Sequence, residues 1–136
     1  MKEQLLSEQE LHELGLQALV SWLEQRNYKI DFMQTDKDVV PHIFALSGKI
    51  LTVIVAATAM YPHKGIIADG DKAYALRVAG ELNALCATAS IGMVNIDGIP
   101  EGNKELMGTA LKSGHYKADF SGLEYIKFLD EPDEEK

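Results

Sequence analysis

The residues able to do chemistry in this chain are few and scattered. Asp38 and His42 lie four positions apart around Pro41, and Tyr61, His63 and Lys64 share the polar stretch TAMYPHKGIIADGD of residues 58–71. If the chain brought these five together, they would line a pocket for a small molecule or an anion. The imidazoles would act as neutral hydrogen-bonding groups and Lys64 as the cation. A metal would need Asp38, His42 and His63 to converge, and no His-x-x-x-His spacing supports that, so no metal site is assigned. Asp69-Gly70-Asp71 begins like a calcium loop but lacks the closing acid in register, so capping of the next helix explains it better. His12 and His115 stand alone and read as surface residues. His42, at a strand start, reads as a partly exposed structural histidine.

Other chemistries lack their parts. The glycines form neither Gly-x-Gly-x-x-Gly nor a Walker pattern, and no serine has a nucleophile-elbow context. Cys86, the single cysteine, falls late in an apolar helical run, where a packed, inert thiol is expected. One cysteine excludes an internal disulfide and four-cysteine iron–sulfur or zinc sites. Nothing in these residues calls for a cofactor.

The elements that must position these groups follow from periodicity. Residues 8–26 predict an amphipathic helix, with Ser7 and Glu10 as a capping box and Leu11, Leu14, Ala18, Leu19, Trp22 and Leu23 on one face. Gly15 inside that face predicts a close neighbour, and Asn27 a stop. Strands are expected over 28–33, 39–46 and 49–57. The last is apolar on both faces, as in a strand covered on both sides. Residues 34–38 read as a flexible polar link and 58–71 as a long loop. An alanine-rich helix is expected over 72–86, with Gly80 allowing close approach, then a strand over 88–96. A short helix over 104–112 and an extended segment over 116–125 follow. A hairpin followed by a helical crossover implies an α/β fold with a mixed sheet and helices on both faces.

Length and composition bound the rest. The 136 residues suit one domain, assigned to 1–129, with 130–136 as an acidic disordered tail. The net charge is −8, half of it in the last seven residues. That balance argues against non-specific nucleic-acid binding, which requires clustered Lys and Arg. No run approaches the roughly 20 apolar residues of a membrane span, and the N-terminus lacks the apolar core of a signal peptide. A soluble, cytoplasmic protein is expected.

Within 8–96, the order α-β-β-β-α-β, with Pro-x-Ile-x-Ala from Pro41, the Gly48-Lys49 turn and an apolar third strand, resembles the restriction-endonuclease-like, PD-(D/E)xK, superfamily. The resemblance implies a three-layer α/β/α core. In active members an acid just after the Pro and an acid-x-Lys on the next strand hold Mg²⁺ and orient water. Here His42, Ile54 and Ala56 occupy those positions, so the resemblance implies a degenerate member without a catalytic residue. The expected function is a non-catalytic scaffold or association module, partnered by itself as a homodimer or by another protein. A small-molecule- or anion-binding protein, or an enzyme of another type, with a pocket near 58–71 is the alternative.

Overall fold

The computed structural model describes residues 4–127. The helix α1, Glu8–Gln25, opens the described fold. Its capping box is formed in both directions: the Ser7 hydroxyl accepts from the Glu10 N–H at 3.0 Å, and the Glu10 carboxylate accepts from the Ser7 N–H at 2.8 Å. Asn27 ends the helical path at a positive φ of 67°. Strands β1, Lys29–Met33, β2, Ile43–Ser47, and β3, Ile50–Met60, follow as an antiparallel meander. Helix α2, Asp69–Leu82, crosses over to β4, Leu85–Asn95, which runs parallel to β3. A short helix α3, Lys104–Met107, precedes β5, Tyr116–Asp119, and β6, Glu124–Ile126. Both final strands pair antiparallel with β4. The sheet order is β1-β2-β3-β4-β5, with β6 beside β5 along the same edge of β4.

The result is a three-layer α/β/α fold around a six-stranded mixed sheet. Alternation along β3 divides the core, because successive side chains of a strand point to opposite faces. Ile54 and Ala56 pack with Leu16, Leu19 and Leu23 of α1, whereas Val53 and Val55 pack with Ala75 and Ala79 of α2. β3 is therefore apolar on both faces, as its sequence implied. No helix among the described residues is long and apolar enough to cross a membrane.

Several boundaries differ from expectation. β2 starts at Ile43 rather than Val39, because residues 34–42 close on themselves. Gln34 Oε1 accepts from the Asp36 N–H at 2.8 Å, and its amide nitrogen donates to the Val39 and Pro41 carbonyls. From α1, Gln9 accepts the Lys37 N–H at 3.0 Å and donates to the Thr35 carbonyl at 2.5 Å. The link read as flexible is thus tied down. Helix α2 begins and ends three to four residues early, with Asn83 as its left-handed cap at φ 55°. Cys86 consequently sits on β4, buried against α2, not in a helix. Ala68 occupies the N-cap without a side-chain bond, so Asp69 and Asp71 lie in the first turn and do not cap it. An added Cβ on Gly80 would meet nothing within 4 Å, so the close approach expected there is absent. The extended segment over 116–125 is two strands that run in the same direction along β4, interrupted at 120–123. The acidic tail assigned to 130–136 lies outside the described residues.

Candidate functional site

A cleft of about 410 Å³ opens where α1, the 34–42 loop, β3 and the start of α2 meet. Glu8, Leu11 and His12 line it from α1, and Lys37, Asp38 and His42 from the loop. The floor is Val55–Thr58 of β3, and Ile66, Ile67 and Asp71 close the remaining side.

Two histidines that read as surface or partly exposed residues are core residues here. His12 is 5% exposed and His42 is 1% exposed. Their rings stack at a tilt, with centroids 4.5 Å apart. The apolar stripe read from sequence is centred on Leu11, Ala18 and Trp22, whereas the buried face runs through His12, Gly15, Leu16, Leu19 and Leu23 and has His12 near its middle. The helical spacing of His12 to Leu16, Leu19 and Leu23 is the signal that could have found it.

The role of His42 follows from the strand ends. Its backbone N–H still donates to the Ile54 carbonyl at 2.9 Å, but the chain before it leaves the sheet. The next free donor on β3, the Ala56 N–H, donates to His42 Nδ1 at 3.0 Å. The imidazole thus replaces the absent strand. Since Nδ1 accepts, the ring proton of the neutral form belongs on Nε2, which faces the Lys37 carbonyl at 3.4 Å. Burial holds the His42 pKa below the ordinary histidine value.

His12 is different. Burial, followed by the neighbouring His42, lowers its pKa from 6.5 to about 4, so the ring is neutral at pH 7. Its Nε2 is buried without a hydrogen-bond partner, and so is Thr58 Oγ1 across the helix–sheet contact. An unpaired buried polar atom costs on the order of 1–3 kcal/mol unless water or a ligand satisfies it. The two orphans belong to residues lining one cleft.

Close packing shapes the walls. A Cβ on Gly15 would stand 1.8 Å from Thr58 Oγ1, so only glycine lets α1 lie this near β3. A Cβ on Gly65 would stand 2.1 Å from the Ala57 carbonyl group, and this contact brings the returning loop alongside the cleft. Ile67 then turns into the α2 layer while Ile66 is 90% exposed at the cleft mouth.

The five residues expected to form a pocket are divided. Asp38 and His42 line the cleft; Tyr61, His63 and Lys64 do not. The reason is the length of β3, which continues three residues beyond Ala57 and carries the next four away toward β4 and β5. The Tyr61 N–H donates to the Met93 carbonyl at 2.8 Å, and Lys64 Nζ lies 3.7 Å from Asp119. His115 is exposed, with Nδ1 3.0 Å from Asp97. Cys86 is buried, and that burial pushes its thiol up to about 11, which suppresses the thiolate. Among the described residues, no group of three His, Cys, Asp or Glu side chains is placed to hold a metal ion.

Positions 42, 54 and 56 do come together, through the two backbone contacts just described. Ile54 is wholly buried and Ala56 is 4% exposed. Neither offers a proton or a metal ligand, and His42 has both ring nitrogens engaged.

The chain belongs to a family described as Domain of unknown function (DUF8840), whose model matches residues 9–126. No curated protein matches it.

Proposed function

We propose that this chain is a non-hydrolytic ligand-binding domain of restriction-endonuclease-like descent, with its ligand in the His12–His42 cleft. The observation that carries this reading is the pair of unpartnered buried atoms, His12 Nε2 and Thr58 Oγ1, belonging to residues that line one cleft. Such atoms are costly in an empty, dry site and are satisfied by a bound polar group or ordered water. Descent is supported by the α-β-β-β-α-β order and by the convergence of positions 42, 54 and 56. Loss of hydrolysis is supported by what those positions hold. The single thiol, buried and protonated, suits a cytoplasmic setting.

A chemical-shift titration with a library of small polar compounds tests the binding reading. The expected result is saturable movement of the Gly15, Ala56, Ala57 and Thr58 amides with at least one compound. A library that leaves these amides still while moving none in the cleft would sink it. In the same preparation, Mg²⁺ or Mn²⁺ should produce no cleavage of DNA or RNA.

A scaffold or association module, partnered by a second copy or another protein, is the second reading. It is favoured by the apolar groove of about 390 Å³ between α2, β4 and β6, beside the exposed Leu85 and Tyr125. Sedimentation of the pure protein distinguishes self-association from a monomer.

A further inference from the structure

We infer that the ligand of this cleft is a small organic cation, an ammonium carried on an apolar stem. This rests on the ligand-binding reading above and specifies its chemistry. The charges come first. Glu8, Asp38 and Asp71 stand against Lys37 as the one ammonium among the lining residues. Lys37 Nζ is already committed, 3.1 Å from Asp38 and 3.6 Å from Glu8, so no free cation awaits an anion. An acidic, partly enclosed cleft concentrates positive ligands.

The floor agrees with the rim. His12 and His42 are held neutral, so neither repels a cation and neither pairs with a carboxylate or phosphate. His12 Nε2 lacks a partner, and a neutral imidazole nitrogen can accept from an ammonium. His12 is also the side chain that distinguishes this cleft from a mere acidic patch, because it is buried almost completely and still unpaired.

The stem follows from the apolar wall. Leu11, Val55 and Ile67 line the interior, and Ile66 stands 90% exposed at the mouth. Holding an isoleucine in water beside an open cleft leaves an apolar surface that an alkyl chain would cover. Ligands recognised here thus combine one positive end with a short hydrocarbon body.

The test uses three isosteric probes, pentylamine, 1-pentanol and pentanoate, titrated separately into the full chain and followed by amide shifts. Pentylamine should move the Gly15, Ala56 and Thr58 amides with an affinity at least several-fold above that of pentanol, and pentanoate should be weakest. Asp38→Asn and Asp71→Asn are surface changes that leave the fold intact. Each should lower pentylamine affinity about threefold, as expected of a partly exposed charge pair, and leave pentanol unaffected. Equal or stronger binding of pentanol or pentanoate at these amides overturns the cation inference while the ligand-binding reading stands. Pentylamine binding indifferent to both substitutions, or confined to amides outside the cleft, overturns the inference as well. No movement of cleft amides with any probe removes both.

Discussion

His12 concentrates the chemistry of this protein in one side chain. Buried, neutral and unpartnered, it couples the cleft to pH. Its pKa is about 4 in the folded chain and returns to the ordinary 6.5 on unfolding. Between those values the unfolded chain binds the extra proton, so protonation favours unfolding. The stabilising contribution is therefore complete above pH 6.5, is lost as pH falls toward 4, and changes little below that. His42 adds to the loss in the same direction. Urea midpoints measured at pH 7.5 and pH 5 should show this drop, and His12→Leu should flatten it. A midpoint that does not change between those pH values would show that the ring is not held neutral by burial.

Elements place that residue where it is. Helix α1 reaches β3 closely only because Gly15 presents no Cβ to Thr58. Gly15→Ala forces the helix outward or displaces the threonine, at a cost of about 1–3 kcal/mol typical of overpacking. Thermal melting should fall accordingly, and Thr58→Ala should recover part of the loss by removing the nearest atom. At the other helix, Asn83 turns the chain from α2 into β4 in the left-handed region. That conformation costs an ordinary L-residue about 1–2 kcal/mol. Asn83→Ala should lower the urea midpoint, while Asn83→Gly should hold or raise it. An alanine variant as stable as the parent would show that the turn is not held in this conformation.

At the scale of the whole molecule, β3 and β4 carry both layers. Leu16, Leu19 and Leu23 pack on one face of the sheet, and Ala75 and Ala79 on the other, where Cys86 of β4 meets them. Because the same strands serve both cores, neither layer can melt alone without exposing the other. Trp22, edge-on to Phe120 at 5.1 Å and under the Arg26 guanidinium at 3.9 Å, reports the α1 layer. Cys86 reports the α2 layer. Tryptophan emission and thiol labelling should therefore share one denaturant midpoint, the mark of a two-state transition. Two separated midpoints would mean that the layers unfold independently.

The sequence by itself determined the local and periodic features. The capping box at Ser7 and Glu10, the stop at Asn27, the close approach at Gly15 and the doubly apolar third strand are each dictated by one residue type or one repeat. That Ile54 and Ala56 offer no metal ligand and no proton was also legible, because apolar side chains supply neither wherever they lie. The tertiary structure decided what depends on distant partners. Two adjoining stripes of α1 are apolar enough to face a core, and only the docked sheet selected the one that holds His12, Leu16, Leu19 and Leu23. His42 became a backbone acceptor only because β2 starts no earlier than Ile43 and leaves the Ala56 N–H without a strand partner. The three extra residues of β3 moved Tyr61, His63 and Lys64 away from Asp38 and His42, and no local pattern marks how far a strand will pair with its neighbour. The cleft is therefore a product of strand ends and helix spacing, set by contacts between elements rather than by any motif within one.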